Sequence, residues 1–296
     1  MKLATYSDGS RDGQLLVVSR DLENAHYATG IADRMQQALD DWNFIAPQLQ
    51  DLYETLNHGK ARHAFPFEAA RCLAPLPRAY QRLGCMQGKD GPRMFQAASD
   101  ALLGARSPIG AADEAAELDF GAGLAIITGD VPQGATPEQG QDAIRLLTLI
   151  NTLALHAQDM TSEAHAAALG PVALTPDELG AAWQDGRAHL TLGVALNGRK
   201  LGLLDMGEMH CSFGQRIAVA ARLRPLSAGT IIGCGPIRGA DRAHGFACLA
   251  HKRQAEAEQD GAAPSTPWLR ADDVVRIEMK GRDGQVLFGA IEQTVV

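Results

Sequence analysis

Residues 118–132 read L-D-F-G-A-G-L-A-I-I-T-G-D-V-P, and the apolar run Leu124-Ala125-Ile126-Ile127 leaves this part of the chain few options. So short a run, ended by Thr128-Gly129-Asp130, predicts a strand buried on both faces that enters a turn. Gly121 and Gly123 precede it, two positions apart. In a strand they leave two neighbouring empty places on one face. Glycine inside a strand marks a bulge or the close approach of other atoms.

The rest of the chain supplies partners for such a strand. Met1–Tyr6 and Gln14–Ser19 flank turn chemistry and predict a hairpin, and Leu190–Leu196 predicts pairing with Lys200–Leu203 across Asn197-Gly198. Thr230–Gly233 reads as a short buried strand, and Val274–Met279 with Val286–Glu292 reads as a last hairpin. Helical spacing joins Ile31, Met35, Ala38, Leu39 and Trp42, then Leu49, Leu52, Tyr53 and Leu56. A helix is predicted from Pro137 through Ile144, Leu147 and Ile150, another over Thr161–Leu169 and a third over Phe213–Leu223. The glycine-rich stretch Arg78–Gly110 predicts loop with one short helix near Phe95, and His244 and His251 fall on an expected strand–turn segment around Cys248. Many strands with few intervening helices indicate an α+β architecture. Pro66, Pro75 and Pro77 make an extended connector, which places a domain boundary near Cys72 and divides the chain into residues 1–72 and 73–296. The first unit is small for independent stability and is expected to dock on the second.

A net charge of −8 gives no basic face for a nucleic acid or an anionic membrane, so neither is expected as a partner. The start of the chain turns polar too early for a signal peptide, and no apolar run reaches the roughly 18 residues of a membrane span. Cys72, Cys85, Cys211, Cys234 and Cys248 are odd in number, widely spaced and without a C-x-x-C pair, which predicts free thiols in a cytoplasmic setting.

Few motifs carry chemistry by themselves. Gly233-Cys234-Gly235-Pro236-Ile237-Arg238-Gly239 follows a strand, yet its third glycine falls one position late for a dinucleotide turn, and Pro236 removes an N–H that a phosphate needs. Glu208-Met209-His210-Cys211 holds three metal-capable side chains, but on a strand Cys211 would point away from the other two. A turn before the next helix is the plainer reading. No H-E-x-x-H and no G-x-S-x-G occurs.

Several segments together resemble bacterial members of the fumarylacetoacetate hydrolase family. They are Asp8–Gln14 (D-G-S-R-D-G-Q), Val17–Leu22, Ala38–Trp42, Ala74–Tyr80 (A-P-L-P-R-A-Y), Thr128–Pro132, Phe213–Gln215, Arg224–Leu226, Ala228-Gly229, Val275–Met279 and Phe288–Ile291. The resemblance runs in order along nearly the whole chain. It implies a small N-terminal domain, a larger β-rich C-terminal roll of mixed sheets, a homodimer, and a Mg²⁺-like ion. The implied chemistry is cleavage or rearrangement of carbon–carbon bonds in diketo and 2-oxo acids, with the ion stabilising an enolate and a histidine activating water.

The residues depart from that pattern. The two glutamates that the resemblance assigns to the metal strand are Gly121 and Gly123, and the later aspartate is Thr152. The segment after Tyr80-Gln81, where it implies a catalytic histidine, is short and contains none, and no lysine lies between Thr152 and Pro171. The substrate-contacting turn is Gly233-Cys234-Gly235-Pro236 and lacks the family's threonine. The expectation is therefore a family member without its metal cofactor that binds a small 2-oxo or diketo acid or pairs with an active relative. The alternatives are a metal-independent isomerase, cyclase or lyase, with His156, His210, Asp130 and Glu208 as candidate residues, and an ordinary metal-dependent hydrolase or hydratase.

Overall fold

The structure is a computed structural model that describes residues 1–88, 91–110, 117–156, 166–239, 241–261 and 263–296. Its first strands are β1 (Lys2–Tyr6), β2 (Gln14–Val18) and β3 (Asn24–Tyr27), followed by helices α1 (Met35–Asp40) and α2 (Trp42–Asn57) and by β4 (Phe65–Pro66). Then come β5 (Arg82–Gly88), β6 (Gly91–Ala97), β7 (Leu118–Thr128), α3 (Pro137–Asp142), β8 (Ile144–Leu155), β9 (Ala167–Leu169) and β10 (Val172–Leu174). The last part contains β11 (Trp183–Gln184), β12 (Arg187–Ala188), β13 (Thr191–Leu196), β14 (Arg199–Asp205), α4 (Phe213–Ala220), β15 (Ile231–Gly233), α5 (Leu249–Asp260), β16 (Val274–Lys280) and β17 (Val286–Thr294).

An eleven-stranded sheet runs in the order β4-β3-β2-β1-β10-β8-β7-β15-β5-β6, with β9 attached to β8. A four-stranded sheet, β14-β13-β16-β17, stands beside it. The N-terminal strands thus join the larger β-rich part through antiparallel pairing of β1 with β10. This is the small-plus-large α+β organisation expected from the sequence.

The opening apolar run lies in the middle of the large sheet. Leu124 and Ile126 face the core shared with the four-stranded sheet and α4. Ala125 and Ile127 face the core under α1 and α2, with Met35, Leu39, Leu49 and Tyr53. Burial on both faces is what makes β7 apolar without alternation.

Three sequence expectations are corrected. The glycine-rich stretch 78–110 holds a hairpin, β5 with β6, and no helix near Phe95. Gly84 lies directly opposite Phe95 and its missing side chain makes room for that ring. The helix from Pro137 stops at Asp142, and Ile144, Leu147 and Ile150 belong to β8 instead. β8 is covered on both faces like β7, so its apolar residues also satisfy a three-residue spacing. In the expected helix at Thr161–Leu169, the residues before 166 lie outside the described set, and Ala167–Leu169 is a strand paired with β8. The pairings across Asn197-Gly198 and in the final hairpin are present. Among the described residues no helix is long and apolar enough to cross a membrane.

Candidate functional site

A cavity of about 570 Å³ opens where β5, β7 and β8 meet the 233–238 turn, the segment before α4 and the first turn of α5. Its size suits a small organic molecule. Gly121, Thr152, Gly233, Cys234, Gly235 and Pro236 all line it, as do His156, Glu208 and His210. The fourth catalytic candidate, Asp130, is not part of the lining. Its Oδ1 accepts a hydrogen bond from the Ala228 N–H at 2.9 Å and ties two turns together.

Gly121 and Gly123 face the 233–236 turn. A Cβ on Gly121 would collide with Thr152 Oγ1, which sits directly across the β7–β8 pair, and would touch Pro236 at 3.4 Å. A Cβ on Gly123 would lie 2.7 Å from Cys234 Sγ and 3.0 Å from the Gly235 carbonyl oxygen. That thiol is fixed, accepting from the Leu124 N–H at 3.1 Å and donating to the Gly235 carbonyl at 2.9 Å. Gly235 itself has φ +69°, and its backbone passes so close to the Cys85 carbonyl that a Cβ would lie 2.8 Å away. The close approach predicted at the two glycines is therefore real, and the approaching atoms belong to Thr152, Cys234 and the turn.

Asp119 was not singled out by the sequence, and it organises one wall. It is 2% exposed. Oδ1 accepts from the N–H groups of Phe120 and Leu249, each at 2.8 Å, and Oδ2 accepts from the Ala250 N–H at 2.9 Å. Leu249 and Ala250 form the first turn of α5, whose N-cap residue Cys248 supplies no side-chain cap. A carboxylate from a distant strand thus satisfies donors that every helix start leaves open. His156 Nε2 lies 3.2 Å from Asp119 Oδ2. The contact favours the tautomer with the proton on Nε2, leaving Nδ1 as a lone pair. The ring is half-exposed and stacks on Trp268 with centroids 4.7 Å apart, and the Arg253 guanidinium covers that indole at 4.3 Å.

His251 belongs to α5, not to the strand–turn segment expected for it, because the chain turns helical immediately after Cys248. It lines the cavity, and its buried Nδ1 has no hydrogen-bond partner among the described residues. Burial, helped by the Arg238 guanidinium, pushes its pKa down to about 4 from 6.5. The unfolded chain takes up this proton near pH 6.5 and the folded chain only near 4, so this contribution to stability is complete above the upper value and is lost as pH falls toward the lower. His251→Gln should therefore lose less stability than the wild type between pH 7 and 5, by about 1 kcal/mol per pH unit. Urea unfolding at both pH values checks this, and equal losses in the two proteins would refute it.

The divalent ion implied by the resemblance does not fit these residues. Its three assigned positions offer one hydroxyl among them, and a Cβ at 121 or 123 already meets Thr152 Oγ1 or Cys234 Sγ. Among the described residues Asp119 and Glu208 are the only carboxylates in the lining, and Asp119 is already committed to α5 and His156. Among the described residues no three His, Cys, Asp or Glu side chains converge as a metal site. Lys89 and Asp90, and half of the interval between Thr152 and Pro171 (residues 157–165), lie outside the described set.

Known proteins share this architecture. A family model described as "Fumarylacetoacetate (FAA) hydrolase C-terminal" matches residues 73–296, and one for "Fumarylacetoacetase N-terminal domain 2" matches residues 1–78. The maleylpyruvate hydrolase of Sphingobium sp. SYK-6, solved with manganese (II) ion and pyruvate, superposes with a TM-score of 0.71 at 18% identity, over 100% of this chain and 99% of that one. A probable 2-hydroxyhepta-2,4-diene-1,7-dioate isomerase from Mycobacterium abscessus gives 0.70 at 16% identity, covering 100% and 98%. A fumarylacetoacetate hydrolase from Exiguobacterium antarcticum gives 0.67 at 18% identity, covering 100% and 99%. A search of curated protein sequences finds no significant match. At such identities the solved structures establish the fold alone, while the family model spans most of the sequence: the chain belongs to the fumarylacetoacetate hydrolase family.

Proposed function

We propose that this chain is a member of the family that has given up metal-dependent hydrolysis and uses its cavity to bind a small 2-oxo or diketo acid. One observation carries the reading. The places assigned to metal carboxylates are Gly121, Gly123 and Thr152, with Thr152 and Cys234 filling the space beside the glycines, yet a cavity of about 570 Å³ stays open next to them. A site retired altogether would be expected to fill in, because large voids cost stability. The pyruvate and manganese in the Sphingobium hydrolase support the ligand class and mark the contrast in cofactor. Assembly with a second copy, or with a metal-bearing relative, is part of the same proposal.

Calorimetric titration tests it. Mg²⁺ and Mn²⁺ are expected to show no specific site on the purified protein, because hard divalent ions need several oxygen ligands, carboxylates foremost. Micromolar binding of either ion would restore the ordinary hydrolase reading.

The Asp119–His156 contact favours a second reading, a metal-free reaction in which His156 Nδ1 takes a proton from the ligand. Turnover of an acylpyruvate that survives EDTA and disappears in His156→Gln would select it over simple binding.

A further inference from the structure

Arg216, on the first turn of α4, is 5% exposed and lines the cavity. Its Nε donates to the Cys211 carbonyl at 3.3 Å and its Nη1 to the Cys234 carbonyl at 3.1 Å. Both acceptors are neutral backbone groups. No carboxylate pairs with this guanidinium among the described residues. A guanidinium stays charged at any physiological pH, and a buried charge without a counter-charge is unfavourable. Two carbonyl bonds fix its position and leave part of its five-donor fork unused.

The surroundings carry the same sign. Among the described residues Arg82, Arg216 and Arg238 line the cavity against Asp119 and Glu208 as carboxylates. Arg238 is drawn to Gln254 on α5, and the Arg82 Nε is held by the Ala98 carbonyl at the edge of β6. Arg216 is the one fastened to Cys234, the residue packed against Gly123. A fixed positive charge is thus tied to the same turn that packs against Gly121 and Gly123. The rest of the wall, with Leu83, Phe95, Ile150, Met209, Pro236 and Ile237, is apolar.

We propose that Arg216 takes the negative charge of the ligand and so replaces a divalent cation as the anchor, which makes the ligand an organic carboxylate with an apolar body. The geometry suits a carboxylate because a guanidinium can donate two parallel hydrogen bonds to it. This inference rests on the reading of the cavity as a metal-free binding site.

Phenylpyruvate in EDTA-treated buffer is the probe, followed by calorimetry on the wild type, Arg216→Lys and Arg216→Gln, with its methyl ester as the neutral control. The wild type is expected to bind the acid at least tenfold more tightly than the ester, and added Mg²⁺ leaves that affinity unchanged. Arg216→Gln should lose the preference for the acid, and Arg216→Lys should keep part of it. Thermal unfolding of each variant shows whether loss of the two carbonyl bonds has unfolded the site, and the comparison of acid with ester on the wild type needs no variant. Equal affinity for acid and ester, no binding of either, or a preference that persists in folded Arg216→Gln would overturn the proposal. Specific Mn²⁺ binding in a separate titration would instead overturn the metal-free reading beneath it.

Discussion

Asp119→Ala is expected to lower the unfolding free energy by about 3 kcal/mol, equivalent to a fall of roughly 5 °C in Tm for a chain of this size. The loss arises at the first turn of α5. The Leu249 and Ala250 N–H groups would face a methyl group where they now face a carboxylate, and that of Leu249 is buried. A buried donor left unpaired costs its full desolvation, about 1–3 kcal/mol. His156 would also lose the contact that orients its ring. Asp119→Asn should cost less, because one oxygen remains to accept, but its amide cannot accept from both the helix and the imidazole. Differential scanning calorimetry gives the Tm, and hydrogen exchange at Leu249 and Ala250 localises the effect. An alanine variant that melts within 1 °C of the wild type, with both amides still protected, would contradict the role assigned to Asp119.

The second large effect is expected from Gly121→Glu combined with Gly123→Glu. On sequence grounds alone, restoring these carboxylates, with Thr152→Asp, should restore the metal. The structure predicts the opposite. The first atom of each new side chain meets Thr152 Oγ1 at one position and Cys234 Sγ at the other, before any carboxylate is reached. Thr152→Asp leaves the collision of position 123 with Cys234 Sγ untouched. Overpacking of this kind typically costs 1–3 kcal/mol per site, so the double variant should lose about 4 kcal/mol and gain no Mg²⁺ affinity. A double-mutant cycle isolates the cause. Gly121→Ala should destabilise the wild type by about 1–2 kcal/mol and the Thr152→Ala background by much less, because the colliding oxygen is gone. Additive effects, or a Gly121→Glu, Gly123→Glu protein of normal Tm that binds Mg²⁺ at micromolar concentration, would show that the strands and the turn move apart more readily than their packing implies.

The parts of the fold that were readable in the sequence are those governed by local chemistry. Asn197-Gly198 and Asp283-Gly284 set two hairpins, and both are present. Gly84 was misread because a glycine that seats the ring of Phe95 across a strand pair looks the same in sequence as a glycine in a loop. Strand β8 reads as helix in the sequence because a segment covered on both faces shows no alternation, and the helix start at Pro137 runs straight into it. At the site, Gly121 and Gly123 announced a close approach but not what approached. Asp119 and Arg216 gave no signal, since the partners that define them, Leu249 and Ala250 for one and Cys234 for the other, are far away along the chain. A strand-edge aspartate beside an apolar run hints at a buried acceptor only once its donors are known.

The antiparallel pair of β1 with β10 has a consequence for how the protein is made. Lys2 lies opposite Leu174, so synthesis must add roughly 170 residues after the first strand before its neighbour exists. At translation speeds of about 5–20 residues per second, that is an interval of about 10 to 30 s. Until then β1 has no partner on its second side, and Leu3 and Ala4, buried in the finished protein, lack the cover of β10. An open apolar edge of this kind recruits other strands. A chain that ends before Val172 therefore keeps this edge open.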